Sequence, residues 1–486
     1  MPSPFIVSVF RGTLSLSERR NISLLAQEIR TEQSGFSLLP PFGPDVRIGY
    51  GGQRCVIFGD NGEIPLLLQR RHSRLDYRLG FLAGDGDIVV VGGKSSLPFE
   101  EYQQAISGVS GVKYLNVDPQ EQLPLQATPA ICLRQPQVFY RLAALLADDE
   151  SPTLVAHITT GTIWALAAKL AAKLGRPVHV AGPPPRLSRA VNDKGWFGQM
   201  ATRLLGKMAV PPKRIAYGPA SLTRHVAQLA KRWDRLYLKV PNSAGSAGNY
   251  ALKTEELREL RPQDLHSLLI SFLSGSGWSG AYPLLVEVID ANVLCSPSAQ
   301  LWIPTPDTGA PVIEGLFEQT LAGPANKFTG AVQAQLPPSV QKQLIHQAQM
   351  MGQLFQELGY FGRCSFDAVL AGSDWENAAI HWIECNGRWG GVSIPMSLVN
   401  HLDQGNQSGA YVIIQTPFTR SQPQSFSEFL AKVERHFVSA IQNKDIIFLS
   451  PNALEAGSGL HVLCRGKTRQ DAMELSQQLI EFIEPR

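Results

Sequence analysis

The sequence predicts a multidomain protein of mixed α/β and α+β class, and three observations carry that reading. The chain has 486 residues, more than one hydrophobic core fills, so about two to four domains are expected. Residues 1–185 alternate apolar strand-like runs with helix-like segments, the rhythm of a parallel layer covered by helices. Residues 186–404 carry strand-like runs joined by polar or glycine-rich tips, which read as antiparallel hairpins, and residues 405–486 form a smaller α/β unit.

Composition narrows the partners. Lys and Arg number 44 against 41 Asp and Glu, a formal net charge of +3. That balance gives no field suited to nucleic acid or an anionic membrane, so small molecules are the expected partners. Cysteines at 55, 132, 295, 364, 385 and 464 show neither a C-x-x-C pair nor a metal-ligand spacing, which predicts buried, reduced thiols and a cytoplasmic chain. Pro2 and Pro4 precede a short apolar run ended by Arg11, unlike an export signal. The longest apolar stretch, Leu154 to Leu174, contains His157, Lys169 and Lys173; it reads as a strand, a turn at Gly161 and a helix rather than a membrane span.

In the first region Val46 to Phe58 and Ile88 to Val91 are strand-like, Phe99 to Ser107 and Val138 to Ala147 helix-like, and 154–180 runs strand, helix, strand. Gly93-Lys94-Ser95 has the ending of a P-loop, but Ile88 stands where its first glycine belongs, so the phosphate nest is incomplete. Gly49-Tyr50-Gly51 begins like a dinucleotide fingerprint whose third glycine position holds Arg54. Both read as turns. Pro183-Pro184-Pro185 then marks a boundary.

After it come Asn192-Asp193-Lys194, a helical stretch to about Lys207, and Val210-Pro211-Pro212. By itself Lys194 reads as a surface lysine. Arg235 to Val240 is a strand, 241–248 (PNSAGSAG) a loop of small residues, and Asn249 to Leu252 a returning strand. Asn242, Ser243, Ala244, Gly245, Ser246 and Gly248 let backbone approach a ligand closely, and successive free N–H groups can form an anion cradle. Lys239 beside them adds a point charge; the alternative is an ordinary hairpin. Leu284 to Ile289 is an apolar strand interrupted by Glu287, an acid that needs a partner such as an adenine amino group or a backbone amide. Residues 311–336 read as a hairpin or a substrate-facing loop containing Glu318, Gln319 and Lys327, and Val340 to Leu358 is an amphipathic helix stopped by Gly359.

That helix leads into FGRCSFDAVLAGSDWENAAIHWIECNGRWGG, Phe361 to Gly391, the stretch on which the functional reading rests. Two strand-like runs flank a polar tip, and alternation places Ser365, Asp367 and Val369 on one face of the first and Trp382, Glu384 and Asn386 on one face of the second. Where those faces coincide, Asp367, Glu384 and Asn386 converge as a hard oxygen site suited to Mg2+ carrying a polyphosphate. The same parity sends His381, Cys364 and Cys385 to the opposite face. Arg388, Gly390 and Gly391 follow where the strand meets a loop. In the C-terminal unit Tyr411 to Thr416 and Leu460 to Cys464 are strands, Phe426 to Ala440 is a helix, and Thr468 with Asp471 caps a last helix. No chemistry is legible there beyond a cover, a homodimer surface or a substrate clamp.

E-C-N-G-R after an aspartate-bearing strand, together with D-K followed by a helix and V-P, and K-V-P-N-S-A-G-S-A-G, resembles the ATP-grasp superfamily over residues 190–396. The resemblance implies a pre-ATP-grasp-like domain at 1–185, a two-lobed ATP-grasp domain with antiparallel sheets at 186–404, and the C-terminal unit at 405–486. It implies Lys194 at a phosphate, the 242–248 loop as a phosphate lid, and Glu287 with the backbone of Val288 and Ile289 at the adenine. It further implies ATP with one or two Mg2+ ions as cofactors, and a carboxylate and an amine as substrates joined through an acyl phosphate. Arg388, Gly390 and Gly391 would stabilise the oxyanion. The layout also resembles pheganomycin-type peptide ligases, which implies an amino acid or peptide product. The same clasp serves phosphotransferases, carboxylating enzymes and ATP-sensing regulators, and these remain the alternatives.

Overall fold

The structure, a computed structural model, describes residues 10, 12–36, 42–52, 54–64, 67, 75–93, 95–118, 126–243, 248–275, 278, 280–323, 327–406, 409–419 and 423–484. Its strands fall into three sheets, one parallel and two antiparallel. The first holds β1 (Val46–Ile48), β2 (Cys55–Phe58), β3 (Ile88–Gly92), β4 (Lys113–Asp118), β5 (Thr153–Ala156) and β6 (Val178–Val180). Their order is β1-β6-β5-β2-β3-β4, every pairing parallel. β2, β3 and β5 are buried throughout, as expected of strands covered by helices on both faces. The run expected as one strand over 46–58 is two: Gly49 and Gly52 take positive φ, and β1 pairs with β6 while β2 lies between β3 and β5.

The second sheet, β7 (Lys213–Ala216), β8 (Arg235–Lys239), β9 (Asn249–Lys253) and β10 (Leu284–Val288), runs in the order β7-β10-β8-β9. Helices Pro219–Ala230 and Pro262–Gly275 supply Leu222, Val226, Leu265 and Leu269 to a core with Leu236, Leu238 and Val286 that, among the described residues, draws on none outside this lobe. The third sheet contains β11 (Val293–Cys295), β12 (Pro297–Ile303), β13 (Val312–Ala322), β14 (Lys327–Gln333), β15 (Gly362–Ala371), β16 (Ala379–Asn386), β17 (Ala410–Pro417), β18 (Ile446–Phe448) and β19 (Gly459–Gly466). β15 and β16 form the expected hairpin, and 312–333 forms another. β17, β18 and β19 continue this sheet through β14, so the expected C-terminal unit shares a sheet with the hairpin instead of having its own.

Several helices had no expectation, among them Leu16–Glu32 and Thr128–Arg134. Leu16–Glu32 begins with a Ser15–Glu18 capping box and packs on the amphipathic helix Pro338–Glu357, where His346 meets Glu18 at 2.8 Å. Thr128–Arg134 covers the first sheet. The Thr468–Asp471 capping box is present. The first and third sheets share one core, in which Phe99 packs edge-on against Phe426 and the Tyr102 hydroxyl oxygen accepts from the Phe448 backbone N–H at 3.0 Å. All six cysteines are buried and free. Among the described residues no helix is long and apolar enough to cross a membrane.

Candidate functional site

A cavity of about 1030 Å³ opens where the three sheets meet. Its lining includes Arg78 and His157 from the first region, Tyr237, Lys239, Glu287, Val288 and Ile289 from the second sheet, and Asp367, Glu384, Asn386, Arg388, Gly390 and Gly391 from the third.

The β15–β16 register sets the acidic wall. Ser365 pairs with Asn386 and Asp367 with Glu384, so both pairs share a face. A bulge follows, because Ala368 pairs with Trp382 and leaves Ile383 unmatched. This corrects the expected parity. Trp382 turns into the core against Phe366, while His381 pairs with Val369 and bonds Asp290 at 2.9 Å. Cys364 and Cys385 lie in the core, on the face expected of them.

Asp367 accepts from Ser298 Oγ at 2.6 Å and from Asn386 Nδ2 at 2.9 Å. Burial, then the neighbouring Glu384 charge, pushes its carboxyl up to about 7. Burial pushes Glu384 the same way, but Lys194, Lys239 and Arg388 outweigh it and hold that carboxyl low. Two carboxylates that cannot both ionise comfortably are what a divalent cation would relieve, and oxygen donors suit Mg2+. The amide is the exception: Asn386 turns Nδ2 toward the acids and its Oδ1 toward Arg388, so ligation requires it to turn over. Among the described residues no group of three His, Cys, Asp or Glu side chains could hold a metal, so the amide is needed as the third donor.

Lys194 differs from expectation. It is buried and does not line the cavity; its Nζ sits 3.0 Å from Glu384 Oε2 and donates to the Ser243 carbonyl at 2.9 Å. It ties the loop root to the acidic hairpin. Of the expected lid, Ala244, Gly245 and Ser246 lie outside the described residues. Ser243 donates its hydroxyl to the Val240 carbonyl at 2.9 Å, and Gly248, at φ 80°, accepts from Val240 N–H. Asn242, Ser243 and Gly248 do not line the cavity, although Lys239 and Asn249 at the loop's roots do. Glu287 finds lysines where an amide or adenine was expected: Lys239 bonds its Oε1, and Lys213 stands 3.6 Å from its Oε2. The Gly390 N–H donates to Ser393 Oγ at 2.8 Å and so is not free for an oxyanion. Arg388 reaches Asn192 and Asn386.

Sequence reasoning missed Lys213, Ser298, Arg78, His157 and His461. Lys213 was findable in principle, since it stands on a strand beside Pro212; the others are ordinary polar residues until distant strands bring them together.

Residues 76–172 match the family model described as the pre ATP-grasp domain, and the arrangement of parallel sheet, antiparallel lobe and acid-bearing hairpin is shared with solved structures of the same fold. Among solved structures, the ADP complex of N5-carboxyaminoimidazole ribonucleotide synthetase has a TM-score of 0.54 at 13% identity, over 89% of this chain and 97% of that one. A biotin carboxylase from Campylobacter jejuni has a TM-score of 0.53 at 13% identity, over 88% of this chain and 90% of that one. The biotin carboxylase domain of the Hydrogenobacter thermophilus 2-oxoglutarate carboxylase, with MgADP and bicarbonate, has 0.50 at 12% identity, over 88% and 89%. These likenesses concern the fold. No curated protein matches the chain significantly.

Proposed function

We propose that this chain is an ATP-dependent carboxylate–amine ligase that forms an amide through an acyl phosphate and releases ADP and phosphate. The observation that carries the reading is the convergence of Asp367, Glu384 and Asn386 in one cavity wall, with Lys239, Glu287, Val288 and Ile289 lining the same cavity. The ADP and MgADP bound by proteins of the same fold support it.

Physically, an amine does not displace oxide from a carboxylate near pH 7, whereas phosphate is a competent leaving group. Asp367, Glu384 and a turned Asn386 would hold Mg2+, which supplies charge neutralisation at the phosphates of ATP. Lys239 offers a cation to the nucleotide once Glu287 shares it. Arg388, fixed by Asn192 and Asn386, presents its guanidinium to the developing oxyanion; losing such a donor costs about 100- to 1,000-fold in rate. The 242–248 loop would close over the site to keep water from the acyl phosphate. An amino acid or peptide as the amine fits the same chemistry.

The test is ADP release with a panel of carboxylates, with and without amines, followed by mass analysis of products. Amine-dependent ADP release with an amide product is expected. A stable phosphorylated product formed without amine would make the chain a phosphotransferase, and tight ATP binding without turnover a sensor. Glu384→Gln should lower ADP formation by at least about 100-fold with the circular dichroism spectrum unchanged; full turnover in that variant would remove the metal assignment.

A further inference from the structure

Among the described residues, a buried charge in the cavity lining, that of Arg78, meets no counter-charge. Arg78 is only 3% exposed, and its Nη2 donates to the Gly391 carbonyl at 2.7 Å. Its Nε has no hydrogen-bond partner, and no ion pair engages it among the described residues. A buried guanidinium held by one carbonyl is expensive unless an anion completes it. Two further buried groups face the same space. His157 and His461 both line the cavity, each with an Nδ1 that lacks a partner among the described residues, and both feel the Arg78 charge. Burial, joined by the Arg388 and Arg78 charges at His157 and by the Arg78 charge at His461, keeps both imidazoles neutral, each pulled down to about 3, so they can donate to an anion without needing an acid of their own.

The surroundings define the rest of the ligand. A Cβ added at Gly391 would stand 3.4 Å from the Phe328 ring and 3.6 Å from Arg78 Nη2, so glycine leaves a gap between an aromatic ring and a guanidinium. Trp389, whose N–H donates to the His157 carbonyl at 3.0 Å, adds a second aromatic wall. Arg388 lies between this space and the acidic hairpin: it bonds Asn386 on one side, and its charge acts on His157 on the other.

We propose that Arg78, His157 and His461 form a carboxylate-binding subsite, in which the acid group of an organic monocarboxylate meets Arg78 while its apolar body lies against Phe328 at Gly391. Arg78 prefers such a planar two-oxygen partner because its fork matches it. The assignment of that carboxylate as the one to be activated rests on the ligase reading; its binding does not.

The experiment is calorimetric titration of the full chain, near pH 7 and without nucleotide, with acetate, benzoate, hydrogencarbonate and inorganic phosphate. Benzoate should bind more tightly than acetate, and Arg78→Gln should weaken both by at least about tenfold while ATP affinity is unchanged. Arg78→Lys should recover part of the loss. Because removing a buried guanidinium can unfold the chain, Phe328→Ala provides a second measurement: benzoate weakened, acetate unaffected. Equal benzoate affinity in the Arg78→Gln and parent proteins, or no saturable binding, overturns the subsite. Hydrogencarbonate or phosphate binding more tightly than benzoate overturns the organic acid as occupant. If benzoate binds as expected and no carboxylate elicits ADP release, the subsite stands and the ligase reading falls. If ADP is released with the acid's KM unchanged by Arg78→Gln, the subsite falls and the ligase remains.

Discussion

Asp367 and Glu384 are neighbours of the same chemistry with opposite shifts, and the difference lies in who faces them. Lys194 bonds Glu384 directly, whereas Asp367 has hydroxyl and amide donors only, so burial and the Glu384 charge raise it to about 7. The sign follows. In the folded chain Asp367 keeps its proton from its unfolded value of about 4 to about 7, so stability falls as pH rises through that window and is level above it. A cation must displace the proton. Mg2+ affinity is therefore expected to rise about tenfold per pH unit below 7, with close to one proton released on binding there, and to flatten above, where release falls away. Titration across about pH 5 to 8 in buffers of different ionisation heat measures both; Asp367→Asn should remove the slope, and a flat profile in the parent protein would show that Asp367 is not a ligand. That Asp367, Glu384 and Asn386 share a face was legible because residue type and strand parity sufficed. Lys194's place was not, since only the fold brings Ser243 and Glu384 to either side of it.

The β15–β16 hairpin shows what a local pattern carries and where it stops. Its two strands, their polar tip and the coincidence of Asp367 with Glu384 follow from alternation. The bulge at Ile383 does not, because one extra residue leaves little mark on composition, yet it exchanges the faces of Trp382 and His381. The joining of β17 to β14 is likewise a pairing of strands far apart in sequence, which no local period encodes. Gly330 sits at that seam. A Cβ there would stand 2.3 Å from the Ile413 carbonyl oxygen, a backbone atom that cannot swing aside. Gly330→Ala should therefore destabilise the chain by about 1–3 kcal/mol, read by urea unfolding, and weaken the docking of β17 through β19. An unaltered midpoint would mean that the C-terminal strands fold as a separate unit after all.

At the scale of the molecule, cores divide the chain differently from sequence boundaries. The first and third sheets share the cluster containing Phe99, Trp302, Phe426 and Phe448, while among the described residues the four-stranded lobe is filled from within residues 216–288. The described polar links from that lobe's loop to the hairpin pass through Lys194, which bonds Pro241 by its N–H, Ser243 by its Nζ, and Glu384 by its charge. Few shared apolar contacts and a few polar ones make a lobe that can open as a body, since local opening costs what local packing supplies. Hydrogen exchange should therefore find β8, β9 and β10 exchanging faster than β2, β3 and β15 in the free protein. ATP with Mg2+ should slow 235–243 and 284–289 selectively, because a ligand in the cavity touches both walls and holds them together. Lys194→Met should speed the lobe's exchange while leaving β2 and β3 unchanged. Uniform exchange across all three sheets, with or without nucleotide, would mean that the cavity is rigid and that closure plays no part in the reaction.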